Sequence, residues 1–218
     1  MNLTTGLYGS TLGKKILMAV TGIILFGFVV GHMVGNLQIY LGAEKLNAYA
    51  HLIQSNKPFL WTFRVVMLFC VGVHVLAAVQ LWLRNKRSRP VKYRVFNPPS
   101  VDYAARTMVW SGPIILLFIM YHLADFTIGW TNPDFIRGDV YHNVISSVQV
   151  WWIAGLYILA NFLLAIHLYH GLWSLFQTFG WDHPRFGGLR RGAAIAFALV
   201  IGAGNISMPL AVLTGVVR

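Results

Sequence analysis

Five long stretches of this chain carry almost no charge, and each is longer and more uniformly apolar than a helix buried in a soluble core. They fall at residues 14–37, 59–84, 104–130, 148–179 and 191–217. A bilayer core needs about 20 consecutive apolar residues in helical form, and longer runs accommodate tilt. The runs are continuous rather than alternating, so helices are predicted instead of strands. In lipid the backbone must satisfy its own N–H and C=O groups, which a helix does within one segment. The pattern predicts an all-α integral membrane bundle of five transmembrane helices, forming a single membrane domain over residues 1–218. Residues 39–56 break the pattern. They mix polar and aromatic side chains, too polar to span, and are expected at the interface as a short helix or loop. The first run is longer than the roughly 7–15 residues of a signal-peptide core, so it reads as a span and not a cleavable leader.

Composition sharpens this picture. Hydrophobic residues make up 57% of the chain, charged residues 11%, and the mean hydropathy is +0.63. Soluble domains carry about 25% charged residues, so a soluble domain is excluded. The single cysteine, Cys70, rules out an internal disulfide. It also rules out a cysteine-ligated iron–sulfur cluster and covalent haem attachment through C-x-x-C-H.

The basic residues orient the bundle. Lys14, Lys15, Arg84, Lys86, Arg87, Arg89, Lys92, Arg94, Arg106, Arg185, Arg190 and Arg191 fall on one side of the predicted spans, twelve of the 17 Lys and Arg. Lys45, Lys57, Arg64, Arg137 and Arg218 fall on the other, beside Glu44, Asp125, Asp134 and Asp139. The positive-inside rule then puts the N-terminus in the cytoplasm and the C-terminus outside. The same bias accounts for most of the formal charge of +11, so no nucleic acid partner is called for. A basic face also suits a soluble partner or anionic membrane lipid.

Four of the spans place a histidine within the apolar run: His32, His74, His122 and His167. Ionisable side chains at such depth are costly and mark functional sites. Counted from the cytoplasmic ends at 1.5 Å per residue, His32 and His122 lie about 27 Å up, His74 and His167 about 15 Å up. The four thus form two levels, two per level, on different helices. Each pair is placed to clamp one haem iron from opposite faces, giving a six-coordinate centre suited to electron transfer. A proton relay or a histidine-lined substrate path is the competing reading. Zinc or copper is disfavoured, because no cysteine or carboxylate joins the histidines at either level. Gly27, Gly31 and Gly35 around His32, with Gly72 and Gly171 near the other histidines, would let a flat macrocycle approach the backbone; they equally suit helix packing. Span five holds no histidine and is expected to seal the bundle.

Other polar residues carry weaker expectations. Asn36, Gln38, Tyr49, His51 and Gln54 gather near the outer end of span one, where they could hydrogen-bond a ligand; an interfacial segment is also polar simply because it meets water. Asp125, three residues after His122, either supports that ligand or is an ordinary interfacial carboxylate. Arg84 and Arg106 suit the propionates of an inner haem, although positive-inside placement explains them too. His142 and His183 fall in loops with no cofactor role expected. Trp130, Trp151 and Trp152 read as interfacial belt residues. There is no nucleotide loop, flavin-binding glycine motif or catalytic triad.

Several blocks resemble a known family. GHMVGNLQIYLG (31–42), LNAYAHLIQ (46–54), VHVLAAVQLWLRNKRSRPVKY (73–93), YHLADFTIG (121–129) and HLYHGLWSLFQTFG (167–180) cover much of the chain. They closely resemble the cytochrome b membrane-anchor subunit of bacterial succinate:quinone oxidoreductases, the succinate dehydrogenases and fumarate reductases, in the five-helix, two-haem class. The resemblance implies two haems b, ligated by His74 and His167 nearer the cytoplasm and by His32 and His122 nearer the outside. Its H-L-x-x-G-x-W-S pattern selects His167 over His170, leaving His170 to bond a propionate or to pack. It implies flavoprotein and iron–sulfur subunits docked on the cytoplasmic face, and a quinone, expected to be menaquinone, as electron partner, with Asn36, Gln38, Tyr49, His51 and Gln54 as its candidate hydrogen-bonding pocket. It also implies a multi-pass protein of the bacterial cytoplasmic membrane with no dicarboxylate active site of its own. A related class moves protons along a helix with a glutamate near the fourth ligand; residues 160–169 contain no carboxylate. A haem b subunit of a formate dehydrogenase or hydrogenase, and a non-haem transporter using a histidine relay, are the alternatives. For the orientation, alkaline phosphatase fused after Arg218 is expected to be active and a fusion within residues 85–100 inactive; the reverse pattern would invert the topology.

Overall fold

The computed structural model describes residues 9–88 and 103–218, so Arg89, Lys92 and Arg94 of the predicted basic loop lie outside the described residues. The described residues contain helices and no strand. Five helical segments are long and apolar enough to cross a membrane: Thr11–Leu41, Lys57–Arg87, Arg106–Ile128, Trp151–Thr178 and Pro184–Leu213.

In chain order, α1 is Thr11–Asn36, followed by a 3-10 turn Leu37–Leu41. The short α2 is Ala43–Ser55 and α3 is Lys57–Arg87. Helix α4, Tyr103–Leu123, runs into a π turn at Ala124–Ile128. Then come α5, Val140–Val148, α6, Trp151–Thr178, and α7, Gly187–Leu213. The chain therefore runs up and down between a proximal end, where α1 begins, and a distal end, where it finishes.

Local chemistry sets the helix ends. The Ser10 side chain accepts from the Gly13 N–H at 2.9 Å and opens α1. Asn56 does the same for α3, accepting from Phe59 N–H at 3.1 Å, with Pro58 in the first turn where no helical N–H is lost. Arg84, Lys86 and Arg87 close α3, where the helix dipole favours cations. The predicted fourth span, 148–179, begins slightly later than expected. The chain breaks at Gln149 and Val150, so Val148 ends α5 and a separate helix starts at Trp151. Nothing in the apolar pattern marks that break, because both sides of it are hydrophobic.

Packing fixes the helix order. α1 lies against α3, α1 against α6 and α7, and α6 against both α7 and α4. Met33, Leu168 and Ile201 form a buried cluster between α1, α6 and α7, with Phe26 stacked on Phe197 at a centroid distance of 4.0 Å. Close approach there uses glycine: a Cβ on Gly202 would stand 3.0 Å from the Ala165 Cβ. Helix α7 thus seals one side, and α3, α1, α6 and α4 form the remaining four corners in that order.

At the distal end, α2, α5 and the C-terminus form a cap. Ile39, Leu46, Ile145, Val148, Ala211 and Val217 belong to one buried cluster. Tyr40 donates to Ser207 Oγ at 2.8 Å, and Tyr141 donates to the Arg218 carbonyl at 2.8 Å. At the proximal end, Arg190 is buried, donating to the Trp181 and His183 carbonyls and pairing with Asp182 at 2.8 Å.

Gly129 ends the π turn at φ 81°, with the Phe135 ring over it. A Cβ there would meet Phe135 Cδ1 at 2.5 Å. A side chain in the left-handed region costs about 1–2 kcal/mol before any clash. Gly129→Ala is therefore expected to lower the unfolding temperature of the purified protein, by more than an alanine placed at Gly138, whose φ is similar but whose Cβ would meet nothing within 4 Å.

Candidate functional site

The four intramembrane histidines meet as two pairs. The rings of His32 on α1 and His122 on α4 have centroids 5.7 Å apart, at 87° to one another. Those of His74 on α3 and His167 on α6 are 6.4 Å apart, at 54°. In the order α3, α1, α6, α4, each pair joins helices at opposite corners, so the pairs lie along the two diagonals of the bundle. Gly22 of α1 lies beside His74, its Cβ position 3.5 Å from Cε1. His32 is ten residues further along the same helix, which separates the two levels by about 15 Å.

The surroundings of each ring differ. His74 Nδ1 lies 3.1 Å from the Met18 carbonyl and 3.3 Å from Thr21 Oγ1. A proton on Nδ1 donated to that carbonyl leaves Nε2 as a free donor of electrons, the usual support for a metal-bound histidine. Nδ1 of His122 and of His167 are buried with no hydrogen-bond partner. Aromatic rings crowd His122: Phe126 at 5.3 Å, Phe118 at 5.9 Å and Tyr157 at 6.0 Å. Phe28 stacks on His32 at 5.1 Å.

These donors fit one kind of metal group. With metal–imidazole bonds of about 2 Å, two rings clamping one metal have centres about 6 Å apart. Two imidazoles cannot complete a tetrahedral protein site, and no group of three or more His, Cys, Asp or Glu gathers to do so among the described residues. Such a facing pair would hold a macrocycle that brings its own nitrogen ligands, as a haem does. A Cβ on Gly27, Gly31, Gly72 or Gly171 would meet nothing within 4 Å, so the backbone is open at each of these glycines. Gly35 differs, because its Cβ would stand 2.6 Å from the Tyr49 hydroxyl; it serves the packing of α2 on α1.

The remaining candidates are spread out. His170 is half-buried on α6, three residues from His167 and toward the proximal end. Arg84 donates from Nη1 to the Gly9 carbonyl at 3.0 Å and to Thr11 Oγ1 at 3.2 Å, tying α3 to the start of α1. Arg106 is exposed near the start of α4. Asn36 and Gln38 are half-buried where α1 gives way to the 3-10 turn. Tyr49 faces α1, whereas His51 and Gln54 are exposed on α2. The five polar residues grouped at the outer end of span one thus do not converge on one point, because a helical repeat of 3.6 residues turns Tyr49 away from the other two.

Asp125 is the site residue whose setting the sequence understated. It is not an interfacial carboxylate: it is wholly buried. It accepts from Ser147 Oγ at 2.7 Å, Tyr157 Oη at 3.0 Å and Thr131 Oγ1 at 3.1 Å. A tyrosine and a serine facing inward from α6 and α5 were the available signal, but only folding brings them to the π turn. His142 falls in the first turn of α5 and not in a loop, its Nε2 lying 3.0 Å from the Asp134 carbonyl.

Among known proteins, the chain is 25% identical over 170 residues to the succinate dehydrogenase cytochrome b558 subunit of Bacillus subtilis (strain 168). The match covers 75% of this chain and 78% of that protein. No family model and no solved structure matches. Together with five membrane-crossing helices, this likeness makes the chain a multi-pass bacterial membrane protein and supports the family that the sequence blocks resemble.

A polar lock holds α2 over the distal end. Asn47 Nδ2 donates to Asp139 at 2.9 Å, and Asn47 Oδ1 accepts from the Tyr141 N–H at 3.0 Å. Asp139 also caps α5 by accepting from the His142 N–H at 3.0 Å. That backbone bond first, and the Asn47 amide second, hold its carboxyl below the ordinary carboxylate value of 3.8. A depressed carboxyl stabilises the fold above its unfolded value and loses that contribution as pH falls through its folded one. Asp139→Ala is accordingly expected to cost about 1 kcal/mol at pH 7. Its deficit against wild type should persist at pH 5 and shrink only below the ordinary value of 3.8, followed by thermal unfolding of the purified protein.

Proposed function

We propose that this chain is the haem b-bearing membrane anchor of a bacterial succinate:quinone oxidoreductase. The observation that carries the reading is the facing of two histidine pairs along the diagonals of one helical bundle, at ring separations of 5.7 and 6.4 Å. The likeness to a cytochrome b subunit supports it. His74 and His167 would hold one haem b, His32 and His122 the second. Haem b, when bound, carries one electron at a time between ferric and ferrous iron.

The chain's own residues do the rest. The two pairs on successive levels give electrons a path along the bundle axis instead of a single stopping point. Met18 and Thr21 hold the His74 ring, and the aromatic collar holds His122, so neither ligand must reorganise when charge moves. Met33, Leu168 and Ile201 join α1, α6 and α7 in an apolar contact beside the histidine levels. The proximal end, which carries Lys14, Lys15, Arg84, Arg185 and Arg191, would face the cytoplasm and receive the iron–sulfur and flavoprotein subunits. His51 and Gln54, exposed on α2 at the distal end, offer a membrane quinone, menaquinone in this reading, the hydrogen-bonding groups its carbonyls need. Asn36 at the end of α1, Gln38 in the 3-10 turn and Tyr49, whose ring packs on Gly35, lie at the same end but on other faces, so His51 and Gln54 carry this part of the reading.

The test is haem content per polypeptide, by pyridine haemochrome assay and reduced-minus-oxidised spectrum. Two haems b are expected in the wild type, and one or none in His74→Ala. An intact, folded wild-type preparation without haem would overturn the proposal.

A further inference from the structure

Asp125 is a wholly buried carboxylate with no ion-pair partner among the described residues and three hydroxyls donating to it from three separate segments. Hydroxyl donors satisfy the oxygens without cancelling the charge. An ionised carboxylate, which only accepts, suits three donors. A buried carboxylate without a counter-ion is costly, and the fold places one a turn from His122. Residues three apart on a helix have Cβ atoms about 5–6 Å apart.

One of the three donors also touches the ligand ring. Tyr157 donates to Asp125 Oδ2 at 3.0 Å, while its ring stands edge-on to His122 at 6.0 Å and packs on Phe126 at 5.4 Å and Phe118 at 5.0 Å. The carboxylate thereby fixes the collar that sets the plane of the His122 imidazole. The π turn at Ala124–Ile128 is the backbone device that turns Asp125 inward, and such turns are enriched at functional sites.

We infer that Asp125 is a positioning residue for the distal metal centre: through Tyr157 it orients the His122 ring, and its charge favours the oxidised state of the metal that His32 and His122 would hold. This rests on the haem reading above. A negative charge at short range in a medium of low dielectric stabilises the more positive, ferric form over the ferrous form. It therefore lowers the midpoint potential of that haem and leaves the haem of His74 and His167, about 15 Å away along α1, much less affected.

The experiment is a redox titration and a low-temperature electron paramagnetic resonance spectrum of the whole membrane complex, on wild type, Asp125→Asn, Asp125→Glu and Tyr157→Phe. The distal transition is assigned by its loss in His32→Ala. Asp125→Asn is expected to keep two haems and to raise the distal midpoint potential alone. Asp125→Glu should restore it. Tyr157→Phe keeps the charge but frees the ring, so the low-spin ferric resonance of the distal haem should move while its potential changes less. Two haems with wild-type potentials and resonances in Asp125→Asn would overturn the inference, as would equal shifts of both haems. If Asp125→Asn fails to assemble, Tyr157→Phe decides: an unmoved distal resonance overturns it, a moved one sustains it. Absence of haem in the wild type would instead be the failure of the functional reading.

Discussion

An imidazole inside an apolar bundle has two ring nitrogens to satisfy and no water to satisfy them. This constraint organises the interior of the protein. At His74 the Met18 carbonyl meets one nitrogen, and Thr21, a polar residue in an otherwise apolar helix, stands beside it. At His122 and His167 a ring nitrogen is buried without a partner, a state that costs about 1–3 kcal/mol for each such group. The rings face each other across the bundle, where α1 packs on α3 and α6, α6 packs on α4, and Phe197 and Gly202 tie α7 to α1 and α6.

The two levels are built differently, and the difference bears on function. In the proximal pair His74 is supported by a backbone carbonyl, a neutral and rigid partner. The distal pair sits in an aromatic collar tied to a buried carboxylate. A nearby carboxylate adds a charge that a backbone carbonyl lacks, so two pairs of the same residue need not give two equivalent centres. The distal level also lies beneath the cap of α2 and α5, which is held by the Asn47–Asp139 lock and not by a hydrophobic face alone.

Much of this was legible in the chain. Continuous apolar runs reported the five spanning helices, because lipid leaves a polypeptide few ways to satisfy its backbone. Counting residues from the charged ends put His32 with His122 and His74 with His167, because a helix rises by a constant amount per residue. The same arithmetic cannot turn a side chain about the helix axis relative to its neighbours. It grouped Tyr49 with His51 and Gln54, which the helix sends to different sides, and it missed the break before Trp151, where hydrophobic residues continue across a change of helix.

Depth and spanning are one-dimensional properties, fixed by the chain alone through hydropathy and helical rise. Ring separations, the diagonal order of the helices and the burial of Asp125 are three-dimensional, set by how side chains of distant segments pack. Asp125 shows the division most clearly: its place three residues after His122 is written in the sequence. Its burial depends on Thr131, Ser147 and Tyr157 arriving from three other segments, and only the packed bundle brings those hydroxyls within hydrogen-bonding reach.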